Sequence, residues 1–352
     1  MTADMRSVFP FLWQPRGVVS SLESLPLCGT VLQKNDATRA VGGNRLDAHA
    51  LTVAALAGGK VIGDLRLAAT RDDVVIGGIQ TVAGCKSAAE LQAHYALHRQ
   101  RFRIPKYRSG TALLLGTANS DNYYHWLVES LPRWPILQAA GWREYDFVLL
   151  HNRPCRFQEE TLDWLGVPAG VRLRCSKNFI HQFERLVVPA MPFAQRTIPS
   201  WVGPWLRSLV PPAPTGPEKV YLSRRDAGGR QLAGEAELEA ALGGRGFVSL
   251  QPEQLSVAEQ ARRLGSARFV VGPHGAALTN MVFAPAGALV VEFFHPQHKN
   301  RCYENLAAAC GHRYASLDGE ATERNHERRL EYRIDTADIL DTLDRLEGKN
   351  GF

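Results

Sequence analysis

The chain has 352 residues, a length that accommodates two domains of ordinary size. Its hydrophobic content of 45% and charged content of 22% are typical of a globular protein, and the lack of an uncharged apolar stretch of about 18 residues predicts no membrane-spanning helix. The formal net charge of +6 indicates an anionic partner and leaves open a nucleotide, a nucleic acid and an acidic membrane surface.

The start of the chain carries few signals. Two short strands are predicted at 60–67 and 73–79, as small β elements added to a larger domain. The run 98–108 is rich in Lys and Arg, with Phe102 and Tyr107 between them. Such a run can contact the phosphates of a lipid or a nucleic acid, and it can equally be a solvated face. Because the basic residues are spread over several segments, we expect no nucleic-acid partner.

Residues 110–190 alternate strands and helices, which predicts a parallel sheet. After the strand 111–116, a helix is predicted at 122–137, capped by Ser120 or Asp121 and kinked or interrupted by Pro132 and Pro135. The other elements predicted here are strands at 146–150, 171–175 and 185–189 and a helix at 157–165.

One face of the helix at 122–137 carries polar side chains. His125 and Glu129 are four residues apart, and Asn122 precedes them by one turn. An ionised carboxylate can accept the proton of an attacking hydroxyl, so Glu129 is a candidate general base that His125 and Asn122 would orient. The pair could equally be a buried polar contact that ties the helix to its neighbours.

A linker is predicted at 211–217, where four of seven residues are proline. We therefore expect one domain at 1–210, a second at 218–335 and a last helix at 336–352. The second domain alternates regularly, and Ser256 with Glu259 forms a capping-box pattern. Its predicted strands lie at 219–223, 246–250, 267–271, 288–294 and 312–317, and its helices at 234–242, 256–264 and 303–310, with a further helix beginning at 278.

The segment 272–280 joins a buried-type strand to that further helix. In an open parallel sheet the ligand sits outside the carboxyl ends of the strands, and free N–H groups at a helix start favour an anion. Gly272, His274, Gly275 and Ala276 are therefore candidates for binding the phosphates of a nucleotide. The alternative is a tight turn in which His274 only caps the helix.

Two further groups of candidates belong to the same sheet edge. Arg224, Arg225 and Arg230 follow the first strand of the second domain, and guanidinium groups match phosphate oxygens in pairs. They could instead be surface arginines in salt bridges. Glu292 ends a strand and could accept hydrogen bonds from two ribose hydroxyls, or it could cap a helix or form a salt bridge.

Several familiar motifs are missing. The chain has no G-x-G-x-x-G, Walker A loop, G-x-S-x-G, H-E-x-x-H or D-x-D motif, so cations for a diphosphate would have to come from side chains and backbone dipoles. We expect no metal site. The six cysteines form no C-x-x-C pair, and no signal-type segment follows Met1, so we expect reduced thiols and a cytoplasmic protein.

The motifs described so far and two further stretches follow one another between residues 110 and 300. They are Asn122-Tyr-Tyr-His-Trp-Leu-Val-Glu-Ser-Leu-Pro-Arg133, Tyr221-Leu-Ser-Arg-Arg225, Leu255-Ser-Val-Ala-Glu-Gln260, Gly272-Pro-His-Gly-Ala-Ala-Leu-Thr-Asn280, and Phe283-Ala-Pro-Ala-Gly287 with Glu292. Together they resemble glycosyltransferase family 61, in a form similar to bacterial cytoplasmic members.

This resemblance implies a GT-B-type α/β fold, with two Rossmann-like domains that face each other across a cleft and a last helix that packs back on the first domain. It implies an inverting, metal-independent transferase that needs no cofactor, with a nucleotide sugar, expected to be UDP-linked, as the donor. Arg224 would contact the diphosphate, and residues 274–276 would form the phosphate site at the helix start. The acceptor would be a hydroxyl of a glycan or lipid-linked glycan of the capsule or lipopolysaccharide, with possible peripheral contact at an anionic membrane.

Two other functions stay open. The chain could be a non-catalytic partner that binds a nucleotide sugar within a polysaccharide assembly complex. It could also be an epimerase or hydrolase of a nucleotide sugar with the same architecture.

Overall fold

The computed structural model describes residues 52–63, 67–77, 90, 103–192, 197–211, 216–225, 229–322 and 331–348, and the backbone of short strands at 17–19, 30–34, 40–41 and 44–45. The chain forms two compact units, Met1–Pro199 and Ser200–Phe352. Within the described ranges, no helix has the length and apolar character needed to cross a membrane.

The boundary between the units lies before the predicted proline-rich linker. The helix Val202–Ser208 belongs to the second unit, because it buries Trp205 and Leu206 and its Arg207 donates to the carbonyls of Val282 and Ala284. Residues 212–215 of the predicted linker lie outside the described residues.

The first unit contains a ten-stranded mixed sheet. Its strands, in spatial order, are Gly17–Val19, Val74–Ile76, Leu67–Ala69, Lys60–Ile62, Ile180–Pro189, Lys106–Leu114, Phe147–His151 and Arg172–Cys175, with Thr52–Ala57 also paired to Ile180–Pro189 and Thr30–Lys34 paired to Thr52–Ala57. The four strands within 106–189 are parallel to one another, which confirms the parallel sheet predicted there.

The early strands are part of this sheet, which corrects the prediction of small additions. Both Thr52–Ala57 and Lys60–Ile62 pair antiparallel with the long strand Ile180–Pro189. Leu186 pairs with Leu56 on one side and with Ala112 on the other, and all three side chains are buried in one core. The apolar faces of the early strands therefore complete the core of the first unit.

The helix predicted at 122–137 is interrupted. Tyr123–His125 continues into a π-helical turn, Trp126–Ser130, and a separate helix spans Arg133–Ala139. Pro132 lies at the break, as predicted, but Pro135 lies in the first turn of the second helix, where no helical hydrogen bond is lost. The described part of this unit also contains the helix Arg156–Trp164 and the 3-10 turn Ala169–Val171.

The second unit is built on a five-stranded parallel sheet. Its spatial order is Val248–Leu250, Lys219–Leu222, Phe269–Pro273, Leu289–Phe294 and Arg313–Asp318. Numbered along the chain this order is 2-1-3-4-5, a doubly wound arrangement. The Rossmann-like architecture predicted for this unit agrees with that order.

Helices alternate with these strands as predicted. They span Glu235–Gly243, Val257–Leu264, Cys302–Ala309 and Thr336–Gly348, with 3-10 helices at Pro252–Gln254 and Ala276–Phe283. Ser256 accepts a hydrogen bond from the Glu259 N–H at 3.0 Å, which confirms the predicted cap. The last helix belongs to the second unit, because Ile339 and Leu343 are buried in its core, and its expected packing on the first domain stays a prediction.

Two small sheets are also present among the described residues. The strands Gln231–Leu232, Glu331–Arg333 and Glu320–Ala321 form one of them, and Ala40–Val41 with Asn44–Arg45 forms the other.

Candidate functional site

The strand order of the second unit places two loops side by side. The strand Lys219–Leu222 lies between Val248–Leu250 and Phe269–Pro273, the next two strands of this sheet along the chain. The chain therefore continues to opposite sides of Lys219–Leu222 at this point. In doubly wound sheets, ligands bind in the crevice at such a switch point, outside the carboxyl ends of the strands. The loop with Arg224 and the turn with Gly275 both begin there.

Arg224 and Gly275 are in direct contact, as the sequence predicts for one shared edge. A Cβ atom built on Gly275 would lie 1.6 Å from the Arg224 Nη1 atom, so the guanidinium occupies the space of a side chain. The φ angle of Gly275 is 173°, an extended value open to any residue. Glycine is therefore required here for space and not for conformation.

Gly272 is also required for a close approach. A Cβ atom at this position would lie 2.7 Å from the carbonyl oxygen of Leu222 on the adjacent strand. The 3-10 helix Ala276–Phe283 follows directly, in place of the α-helix predicted, and its first N–H groups have no partner inside the helix. These N–H groups belong to the same turn as the Arg224 guanidinium.

Positive charge accumulates around this turn. Burial lowers the pKa of Arg230, and the charge of Arg224 lowers it further. Burial also lowers the pKa of His298, with Arg230 and His274 adding to the effect, and the pKa of His295 is lowered by burial and then by Arg230. Mutual repulsion of this kind is relieved by an anion bound among the groups.

The arginine loop is held by a buried acid. Glu235 accepts hydrogen bonds from the Arg224 N–H at 2.8 Å and from the Tyr221 hydroxyl at 2.9 Å. Burial raises the pKa of Glu235, and its hydrogen bonds act in the opposite direction. The Arg224 side chain donates to the Gly229 carbonyl at 3.2 Å, and its Nε is buried without a hydrogen bond to any described residue.

Arg225 points away from its neighbour Arg224. Its Nε lies 3.2 Å from the Glu239 carboxylate, and the side chain is about half exposed. It lines a cavity of about 350 Å³ with Glu239, Gln251 and Arg263. The structure therefore does not bring Arg225 to the Arg224–Gly275 contact.

Glu292 is buried and paired with two neighbouring side chains. Its side chain is 0% exposed, its Oε1 is hydrogen-bonded to the Nδ1 of His274, and its Oε2 accepts from the Tyr314 hydroxyl. The salt-bridge alternative considered for Glu292 is the arrangement present in the structure, and its ribose contact stays a prediction.

In the first unit, the structure brings His125 and Glu129 together. The His125 Nδ1 lies 2.8 Å from the Glu129 Oε1, although the angles are not those of a hydrogen bond. The Glu129 side chain is 5% exposed, and its Oε2 has no hydrogen-bond partner in the described part of the chain. A buried carboxylate oxygen without a partner is costly, and such groups are retained where a ligand or reaction uses them.

Arg133 is a fully buried cation close to this pair. Burial lowers its pKa to about 10, and the charge of Glu129 acts in the opposite direction. The π-helical turn Trp126–Ser130 carries Glu129, and Trp126 anchors that turn by donating to the Thr161 hydroxyl at 2.8 Å. Turns of this type are frequent at functional sites.

Asn122 is the cap of the helix, which corrects the prediction of Ser120 or Asp121. Its Oδ1 accepts from the N–H of Tyr124 at 3.0 Å and of His125 at 3.5 Å. The Ser120 hydroxyl instead donates to the carbonyl of Thr117 at 2.8 Å. Asn122 therefore positions His125 through the backbone.

Metal ligands do not cluster in the ranges described above: no group of three or more His, Cys, Asp or Glu side chains there could hold a metal ion.

The comparison with known proteins points to the same segments. Residues 123–291 match the family model described as Glycosyltransferase 61. This part of the chain is a glycosyltransferase 61 domain. The match includes Glu129, Arg224 and Gly275, whereas Asn122 and Glu292 lie one residue outside its two ends.

One relative is similar over a shorter segment. The chain is 35% identical over 102 residues to the EGF domain-specific O-linked N-acetylglucosamine transferase of Drosophila melanogaster. That segment is 28% of this chain and 19% of the relative, so the match spans about a fifth of the relative's length.

Sequence reasoning missed Glu235, Arg133 and Tyr314. Tyr314 could have been found, since Glu292 pairs with Ser316 and a residue two positions along a strand lies on the same face. Arg133 ends the first motif of the resemblance, but its burial could not be predicted, because arginine is usually exposed.

Proposed function

We propose that this glycosyltransferase 61 domain moves a sugar from a nucleotide sugar, expected to be UDP-linked, to a hydroxyl of a glycan. The observation that carries the proposal is the Arg224 guanidinium seated on Gly275, with Arg230 and His298 beside it, at the switch point of a doubly wound sheet. Guanidinium groups and helix-start N–H groups suit the charge that develops on a departing diphosphate.

The reaction proposed is one inverting displacement without a metal ion. The acceptor oxygen bonds to the anomeric carbon, the bond from that carbon to the diphosphate oxygen breaks with its electron pair, and the acceptor proton passes to Glu129. The free Oε2 of Glu129 supports this role, because a general base needs a lone pair that no other group uses. The surface-glycan acceptor, cytoplasmic location and GT-B arrangement rest on the sequence resemblance.

Binding and transfer test the proposal separately. UDP and UDP-N-acetylglucosamine are the first ligands to titrate, the latter because the relative named above transfers N-acetylglucosamine. Arg224→Ala should weaken UDP binding by about 10-fold or more, while Arg225→Ala, its neighbour in the same loop, should leave it within about twofold. Equal losses in the two variants would refute the donor site.

Glu129→Gln tests the base. We expect donor binding to be retained and turnover to fall by about 10²- to 10⁴-fold. Turnover near that of the wild type would remove Glu129 from the mechanism. A wild-type chain that binds UDP-sugars but yields free sugar and no glycosylated acceptor would favour hydrolysis instead.

We also propose peripheral contact with an anionic membrane through one corner of the first unit. Ile104 and Tyr107 are 63% and 61% exposed, and Phe179 is also exposed. The Lys106 Nζ lies 3.4 Å from the centre of the Phe179 ring, and Arg103 donates to a carbonyl in the same loop. Exposed apolar side chains among basic ones suit a negatively charged bilayer surface.

A further inference from the structure

The buried acid Glu292 serves a histidine. It lies on the strand Leu289–Phe294 and pairs with Gly272 on the neighbouring strand, two residues before His274 in the chain. One carboxylate oxygen is hydrogen-bonded to the Nδ1 of His274, and the other accepts from the Tyr314 hydroxyl. Burial, then the hydrogen bond to Glu292 and the charge of that residue, raise the pKa of Tyr314 well above its usual value, so the hydroxyl keeps its proton and donates a hydrogen bond.

Three neighbouring aromatic rings hold the His274 ring in place. It stacks on the Phe294 ring at 5.2 Å, and the rings of His298 and Tyr303 meet it edge-on at 5.2 Å. The side chain is 9% exposed. Since Nδ1 is engaged by Glu292, Nε2 is the ring nitrogen available to a ligand.

The position of His274 in the chain places it beside the candidate phosphate site. It is the residue before Gly275, on which the Arg224 guanidinium rests, and it immediately precedes the 3-10 helix start. A carboxylate on one side and a phosphate on the other both accept hydrogen bonds. A histidine ring with a hydrogen on each nitrogen donates to both.

We propose that Glu292 and Tyr314 are positioning residues for the phosphate contact expected at residues 274–276. They hold the His274 ring so that its Nε2 donates to a phosphate oxygen of the nucleotide-sugar donor. The inference rests on the proposed function and adds the His274 ring to the contacts of Arg224 and the helix start. The donation strengthens as charge builds on the departing diphosphate, so it contributes more to turnover than to binding of the intact donor.

Inorganic pyrophosphate is the probe that separates this role from ribose binding, because it has phosphate groups and no sugar. Calorimetric titration would compare the wild type with Glu292→Gln and Tyr314→Phe. The matched control is Tyr332→Phe, which removes another buried hydroxyl, one that donates to the Phe293 carbonyl at 3.4 Å. We expect both variants to bind pyrophosphate about tenfold more weakly and the control to stay within about twofold.

Measurements of kcat and KM distinguish a role of His274 in the reaction from a purely structural role. His274→Ala should lower kcat by about 10²- to 10³-fold with a smaller change in KM. His274→Gln, whose amide nitrogen reaches about as far as Nε2, should restore part of that loss. Tyr314→Phe leaves the carboxylate and the imidazole in place, so it remains informative if Glu292→Gln fails to fold.

The outcomes also distinguish this inference from the function beneath it. If the wild type binds neither pyrophosphate nor UDP, the donor site itself is wrong. If the wild type binds pyrophosphate and Arg224→Ala weakens it, but His274→Ala, Glu292→Gln and Tyr314→Phe bind and turn over like the control, the role of His274 is overturned and the donor site stands.

Discussion

Replacing Gly275 with alanine should weaken phosphate binding without weakening the fold. The new Cβ would lie 1.6 Å from the Arg224 Nη1, whereas ordinary van der Waals contact begins near 3.4 Å. The nitrogen must therefore retreat by about 1.8 Å, the difference between these distances. A shift of that size breaks a hydrogen bond to a fixed phosphate oxygen.

The magnitude follows from the kind of contact that is lost. A hydrogen bond between charged groups contributes about 1.5–3 kcal/mol, which corresponds to about a 10- to 150-fold loss of affinity for UDP. Stability should be unchanged or higher by about 0.4–1 kcal/mol, because the backbone at Gly275 is extended and alanine restricts the unfolded chain. Titration with UDP and urea unfolding measure the two effects separately.

Two controls make the result decisive. Gly243→Ala is the matched substitution, because a Cβ there meets nothing within 4 Å. The double variant Arg224→Ala/Gly275→Ala should bind UDP no more weakly than Arg224→Ala alone, since the alanine acts only by displacing that arginine. A Gly275→Ala loss of the same size with and without Arg224 would refute the reasoning.

Three further predictions concern the first unit. Asn122→Ala should cost about 1 kcal/mol of unfolding free energy in urea, and Asn122→Asp, which keeps the cap, should retain both stability and turnover; loss of turnover in the aspartate variant would argue for a direct role. Burial and the charges of Arg108 and Lys106 lower the pKa of His181 to about 4, so between pH 6.5 and 4 the unfolded chain binds a proton that the folded chain does not. As the pH is lowered through this range, the unfolding free energy should therefore fall less steeply in His181→Leu than in the wild type. The double variant Ile104→Ser/Tyr107→Ser should sediment less with anionic vesicles, and wild-type binding that ignores both salt and anionic lipid would remove the membrane proposal.

Local sequence patterns predicted most of the secondary structure of the second unit. Its apolar runs are buried in the parallel sheet, and the Ser256 cap is where the pattern placed it. The contact of the Arg224 loop with Gly275 was also predictable, because parallel strands bring their carboxyl ends to one edge. These features depend on neighbours in the chain or on a general rule of sheet topology.

Local patterns did not predict contacts that depend on a distant partner. Glu292 has the chemistry of a ribose ligand, but in the structure one of its oxygens is bonded to His274, just after one neighbouring strand, and the other to Tyr314 on the second. Arg225 has the same chemistry as Arg224, but Glu239 holds it elsewhere. Propensity does not distinguish such cases, because it contains no information about what a folded neighbour contributes.

By itself, the sequence determined most of the strands and helices in residues 110–320, the glycine turn at 272–276 and the residue types that can meet a phosphate. It did not predict the helix Val202–Ser208 or the π-helical turn Trp126–Ser130. The tertiary structure alone decided which of those residues are accessible, which are paired, and that the early strands belong to the first sheet. The physical reason is that periodicity and capping are local, whereas burial and hydrogen bonding depend on strands brought together from far apart in the chain.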